Sequence, residues 1–263
     1  MTQMEIARLD AKLRQGGVSK TSCAARQSRA VYTSAASQPG ACRRRTQRAL
    51  GGIGKKMRAK PNVSIVVLAA GAATRMSSNS GHKLLAMFDG MPLVRRSALI
   101  AKASTALSVI VVVGHRQDDI REALTGLSLH VIPNPDYRVG ISSSLAAGFA
   151  AAVAEGADGV LILLADMPGV SANNLDRLID AFQVANGASI VCAVSQGNRG
   201  NPVILPRSLN DSVLRLRGDI GARDLIRTSG LQVIEVEMGT AALTDVDTAE
   251  AIVAAGGIPV EDC

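Results

Sequence analysis

The side chains best placed by type to do chemistry are a few cations and carboxylates lying far apart in the chain. "VVLAAGAATRM", Val66 to Met76, runs from β-branched residues into a small-residue turn that ends in Arg75. Gly71 lets a ligand approach the backbone, and Ala69, Ala70, Ala72 and Ala73 keep the turn uncluttered. Amides exposed in such a turn can hold an anion, and the forked, always-charged guanidinium of Arg75 suits a phosphate. Lys83, in "GHKLLAMFDGMPL", follows closely enough to bring a second positive charge to another phosphate oxygen. Each feature also has a plainer reading: a strand ending in a turn, and a solvated lysine.

Carboxylates supply the complementary chemistry. Asp166 is the first charge after the apolar run in "DGVLILLADMPGV", and Pro168 and Gly169 turn the chain away behind it. A carboxylate at such a tip can ligate a divalent cation that bridges phosphates. Asp245 and Asp247, in "LTDVDTAEA", start the last helix, where Asp247 or Thr244 could be a cap or either carboxylate a second metal ligand. Asp247 is carried forward with Asp166 as the metal pair. "GNRGNPVIL" (197–205) and "LRGDIGARDLI" (216–226) are expected to be loops that touch a polar substrate, or tight connections.

These residues need a scaffold, and from residue 62 the pattern supplies one. Apolar runs at 63–70, 107–114, 127–134, 158–166, 188–195 and 231–238 alternate with helical segments such as "PLVRRSALIAKAS", "RQDDIREALTG", "ISSSLAAGFAAAVAEG" and "SANNLDRLIDAFQVANG". Ser171 reads as a helix cap, Gly187 as a stop and Pro92 as a helix opening. Repeated β-α-β order with strands this apolar predicts an α/β, Rossmann-like, mostly parallel sheet with helices on both faces. Ligands of such sheets bind beyond the carboxyl ends of the strands, where Gly71 and Asp166 both fall. The composition agrees, with 47% hydrophobic but only 2% aromatic residues, so the core is built from Ala, Val, Leu and Ile.

Charge divides the chain in two. The formal net charge of +7 hides about +12 in residues 1–60 and −5 in the remainder. Residues 1–60 are expected to form a basic, disordered arm, with the true start at Met57 as one reading, and residues 61–263 to form the catalytic domain. "GGIGKK" (51–56) lacks the preceding strand and the final Ser or Thr of a P-loop and is read as a flexible linker. The four cysteines form no metal-ligand or CxxC pattern, and no run reaches the roughly 18 apolar residues of a membrane span, so a cytoplasmic protein with reduced thiols is expected. The arm has one Tyr to stack on bases, which argues against a nucleic-acid partner. The first turn is not GxGxxG, which argues against an NAD dehydrogenase.

Taken in order, "LAAGAATRM…KLL", "NPDYRVGISSSLAAG", "LLADMP", "GNRGNPVIL" and "GDIGAR" resemble the nucleotidyltransferases of molybdenum cofactor maturation, especially the molybdenum cofactor cytidylyltransferases, over about residues 62–257. The resemblance implies a fold of the nucleotide-diphospho-sugar transferase type. It also implies Mg²⁺-assisted coupling of CTP to the terminal phosphate of the molybdopterin cofactor, with release of pyrophosphate. Leu68, Ala69, Ala70, Gly71, Arg75 and Lys83 would then bind the nucleotide. Arg75, Lys83 and Asp166 would be catalytic, with metal on Asp166 and Asp247. Ser142, Ser143, Ser144, Gly200, Asn201, Pro202, Gly218, Asp219 and Arg223 would touch the acceptor, and a molybdoenzyme would receive the product.

"LAAG" matches the cytidine-using branch of that family. Two departures stand out: "SSNSGH" makes the spacing to Lys83 about three residues longer than usual, and Asn201 takes the place of a histidine. Attack of one phosphate oxygen on another phosphate needs charge neutralisation and in-line positioning more than a protein nucleophile, which fits this residue set. The other readings are a related guanylyl- or sugar- or polyol-phosphate cytidylyltransferase, and a non-catalytic carrier of the cofactor.

Overall fold

A computed structural model of the chain describes residues 59–72 and 81–260. The expected basic arm, apart from its last two residues, and Arg75 both fall outside them.

The strands are β1 (Val63–Ala69), β2 (Met87–Phe88), β3 (Met91–Pro92), β4 (Val109–Val113), β5 (His130–Pro133), β6 (Gly159–Leu164), β7 (Ile190–Ser195), β8 (Asn198–Pro206) and β9 (Val233–Glu237). The helices are α1 (Leu93–Lys102), α2 (Gln117–Ala123), α3 (Ile141–Ala154), α4 (Ala172–Val184), α5 (Asn210–Leu214), α6 (Ala222–Thr228) and α7 (Ala249–Ala254). Seven strands form one sheet in the order β5-β4-β1-β6-β8-β7-β9, and β2 and β3 form a small separate hairpin. Within the large sheet every neighbouring pair is parallel except the two made by β8.

β4 is an unbroken run of Val and Ile, β1 and β6 are runs of Val, Ile and Leu interrupted only by Ser64 and bounded by Ala69 or Gly159, and all three are buried almost throughout. That is the signature of parallel strands covered on both faces. Alternation then sorts side chains between two cores: Ile65, Val67, Leu161 and Leu163 meet α1 and α4, while Val66, Val160 and Ile162 meet α3, α5 and α6. Phe182 anchors the first core and Phe149 the second, each contributing roughly 1.5–3 kcal/mol by burial. α3 lies unusually close to the sheet because Gly148 sits against it; a Cβ there would overlap the Val66 side chain and lie 2.9 Å from that of Val112.

Local signals work as expected at α4, where Ser171 accepts from Asn174 N and the Asn174 side chain answers to form a capping box. β8 departs from expectation. The 197–205 stretch is not a loop but most of the antiparallel strand, joined to β7 by a two-residue turn at Gln196 (φ 50°) and Gly197 (φ 79°). Two successive positive φ values make the tight turn whose twist suits a hairpin. Likewise, the second half of the 216–226 stretch winds into α6.

Candidate active site

Registers Leu68↔Val112 and Leu68↔Leu164 bring the carboxyl ends of β1, β4 and β6 to one edge. Three turns leave that edge side by side, at Ala70-Gly71, Gly114-His115 and Ala165-Asp166. His115 N donates to Ala70 O at 3.2 Å, and Ala165 N to Leu68 O at 3.2 Å, tying the turns together. Ala69 and Ala70 are buried, whereas Gly71 is exposed and faces open space.

His82 fastens the Gly71 turn from behind. Its Nε2 donates to Gly71 O across 3.2 Å, and Nδ1 accepts from Leu84 N at 3.3 Å. A neutral ring satisfies both bonds. Burial, reinforced by His115, Arg116 and Lys83, lowers its pKa to about 4 against the opposing pull of the Gly71 carbonyl. The ring also stacks on His115 with centroids 5.5 Å apart.

Lys83 begins the single 3-10 turn that His82 caps. Its ammonium donates to Asp166 Oδ2 at 2.6 Å and to Asp247 Oδ1 at 2.5 Å. Asp247 reaches this point because Val246 N donates to Asp166 O at 3.0 Å while the Val246 side chain is buried beside Phe88, Leu93 and Ile252. α1 steadies the same tip, with Ser97 donating to Ala165 O and Arg96 to Pro168 O, each at 2.9 Å. Thr248 caps α7, so neither Asp247 nor Thr244 does, and the cap reading of Asp247 is corrected.

Asp166, Asp245 and Asp247 each offer an oxygen within 4.8 Å of the others. Asp166 Oδ1 is buried and has no hydrogen-bond partner. Three carboxylates with an orphaned buried oxygen fit a hard divalent cation such as Mg²⁺ or Mn²⁺. The electrostatics follow from this crowding of carboxylates around one ammonium. Burial raises the Asp166 pKa, Lys83 pulls it down, and Asp245 and Asp247 push it up again. Burial alone would lower the Lys83 ammonium, but Asp166 and Asp247 outweigh it and hold it above its ordinary value.

Next to this cluster a cavity of about 680 Å³ opens between α3, α6 and the sheet. Its lining is largely apolar, with Leu68, Ile141, Leu145, Ile162, Leu164, Val203, Ile220 and Ile226, and three arginines join it. Of these, Arg199 pairs with Glu235 at 2.8 Å and Arg227 with Asp224 at 2.6 Å, leaving Arg223 without an ion pair among the described residues. Leu68 and Leu164 belong to β1 and β6, so the cavity meets the edge from which Gly71 and Asp166 project.

The expected acceptor residues divide. Gly200, Asn201, Asp219 and Arg223 line the cavity, but Pro202, Gly218 and the three serines do not. Asn134 Nδ2 donates to the hydroxyls of Ser143 and Ser144, both at 2.9 Å, and the single Ser143 O–H in turn faces Asp136 O and Gly140 O, both at 2.9 Å, and can donate to one of them at a time. Those serines hold the start of α3 against the preceding loop. Ser142 N donates to Gly218 O, so Gly218 serves the same junction. Gly200 is needed for its shape, since a Cβ would overlap the Ala242 carbonyl.

Comparison with known proteins agrees with this geometry, since the MobA-like NTP transferase domain matches residues 65–234. The chain belongs to that family. Among its relatives, nicotine blue oxidoreductase of Paenarthrobacter nicotinovorans is 28% identical over 196 residues, covering 72% of this chain and 94% of that protein. Two solved structures share the fold. One is a nucleotidyl transferase from Methanothermobacter thermautotroptrophicus, with a TM-score of 0.63, 24% identity and coverage of 73% of this chain and 95% of that one. The other is the manganese complex of Rv0371C from Mycobacterium tuberculosis, with a TM-score of 0.60, 23% identity and coverage of 74% and 97%.

Several residues of this MobA-like domain escape sequence reasoning. His82 looks like part of a polar insertion, and only its position just before Lys83 hints at a role. Arg199 was visible as the arginine of "GNRG", but its place on a strand was not. Apart from Leu68, which the family resemblance assigns to the nucleotide, the apolar cavity residues carry no signal, because core and cavity walls share one composition.

Proposed function

We propose that this MobA-like domain, residues 61–263, is a Mg²⁺-dependent cytidylyltransferase. It transfers CMP from CTP to the terminal phosphate of the molybdopterin cofactor and releases pyrophosphate, working in the cytoplasm before delivery to a molybdoenzyme. The observation that carries the reading is the Asp166, Asp245 and Asp247 cluster with Lys83, at the sheet edge that also carries the small-residue turn. In this reading the turn takes the nucleotide and the cavity, which shares β1 and β6 with that edge, takes the acceptor. The manganese complex of Rv0371C supports a divalent ion in this fold.

Asp166 and Asp247, with Asp245 beside them, would hold the ion, whose contribution is to neutralise phosphate charge and fix its orientation. The protein does the remaining work. The Gly71 turn receives the phosphates through its backbone, and Lys83 and Arg75 offset their charge. The apolar cavity orients the acceptor's ring system and excludes water, and Arg223 draws in its anionic end. Holding the acceptor phosphate in line with the α-phosphate is the main catalytic task, and no protein nucleophile takes part.

The deciding experiment mixes the protein with Mg²⁺, molybdopterin cofactor and CTP, GTP or ATP and follows pyrophosphate. Release with CTP is expected. Release with another base, or with a sugar or polyol phosphate, transfers the reading to a related enzyme. Tight cofactor binding without pyrophosphate would make the chain a carrier.

The name of the Paenarthrobacter relative, nicotine blue oxidoreductase, suggests one second reading, oxidation or reduction of a substrate held in the apolar cavity. That reading requires a separate electron donor or acceptor. It predicts turnover of nicotine blue with no pyrophosphate release from any nucleotide.

A further inference from the structure

Lys83, expected on nucleotide phosphates, is held by carboxylates in this structure. Its ammonium bridges Asp166 Oδ2 and Asp247 Oδ1 at 2.6 and 2.5 Å, and its side chain is only 12% exposed. These are two of the three carboxylates that fit a divalent ion. A divalent ion on these carboxylates would lie within a few ångström of the ammonium in a partly buried site, where like charges repel strongly, so the two cations compete for the same carboxylates. Asp166 Oδ1 stays unpartnered even with the ammonium in place.

We propose that Lys83 is the resident cation of this cluster, standing in for the metal, and that it is exchanged for the metal when nucleotide phosphates offer it another anion. The inference rests on the metal reading above and adds an order of events. Without nucleotide, leaving the cluster would strand the ammonium in a partly buried site with no counter-charge, so metal binds weakly. With the phosphates in the Gly71 turn, which His82 ties to the residue beside Lys83, the ammonium gains a new partner. The carboxylates are then released to the ion. Nucleotide and metal therefore assist each other's binding, and the empty site is protected from stray divalent ions. The turn that His82 caps supplies the short tether for this movement.

The test is calorimetric titration of the full chain with Mn²⁺ in the absence of nucleotide. Lys83→Met should bind Mn²⁺ at least tenfold more tightly than the natural protein. Lys83→Gln, which keeps a hydrogen-bond donor between the carboxylates, covers the case in which Lys83→Met fails to fold. It should show the same direction of change. Adding Asp166→Asn to either variant should abolish the gained binding. In the natural protein, the Lys83 ammonium resonance followed by ¹⁵N NMR should move on addition of a non-hydrolysable CTP analogue with Mg²⁺, but not with Mg²⁺ alone at the same concentration. Unchanged or weaker Mn²⁺ affinity in the folded variants, while the natural protein still binds metal with the CTP analogue, overturns the exchange and leaves the metal reading intact. No Mn²⁺ binding by any form, with or without the analogue, overturns both.

Discussion

Asp166 must carry a charge in a place that discourages charge. It is 13% exposed, its Oδ1 lacks a partner, and two other aspartates crowd it. A residue of this kind is costly to keep unless a cation repays it, and removing the cation leaves a buried charge uncompensated. Asp166→Asn should therefore leave the fold intact and lower metal-dependent pyrophosphate release by about a hundredfold or more, as judged by steady-state assay alongside circular dichroism. Full activity in a folded variant would remove Asp166 from the mechanism. His82 offers a different test. Its pKa is depressed to about 4 in the fold against 6.5 in the unfolded chain, so its contribution to stability is complete above pH 6.5 and is lost as pH falls toward 4. The loss amounts to about 3 kcal/mol at most, from the difference between those two values. Urea unfolding at pH 7 and pH 4.5 should show a smaller acid-dependent drop in His82→Gln than in the natural protein; equal drops would assign the acid sensitivity elsewhere.

Among the elements, α3 is seated closely on the sheet at Gly148. Gly148→Ala places a methyl group against Val66 and Val112 and should cost about 1–3 kcal/mol, read as a lowered melting temperature. The parallel elements were legible in advance because β-branched runs of strand length alternate with capped amphipathic segments. β8 was not. Gly200, Asn201, Pro202 and Arg199 are residues that ordinarily punctuate loops, and only the pairing with β6 and β7 makes them a strand. The Gln196-Gly197 turn could have given the hairpin away, but a lone glycine after a glutamine is a faint signal. Asp166 was legible as the first charge beyond an apolar run. Its pairing with Lys83 was not, since 83 residues separate them and only the sheet register and the α7 approach close that gap. The serines at 142–144 pointed to a ligand by type, yet two of them are occupied with Asn134.

Over the whole molecule, charge-handling groups and apolar volume occupy adjacent parts of one sheet edge. Filling the volume should disturb one partner only. Ala222→Trp, at the cavity wall, is expected to raise KM for the acceptor about tenfold, equivalent to roughly 1.4 kcal/mol of binding, while affinity for the nucleotide and the melting temperature stay unchanged. Equal weakening of nucleotide and acceptor would mean that the two share the cavity. The antiparallel course of β8 has a further consequence. Because β8 runs against its neighbours, the tip it shares with β7 arrives at the edge that carries Gly71 and Asp166 as a self-contained hairpin, while β5, β4, β1 and β6 form an unbroken parallel block. The tip of such a hairpin can change in sequence without disturbing the strands that position Gly71 and Asp166.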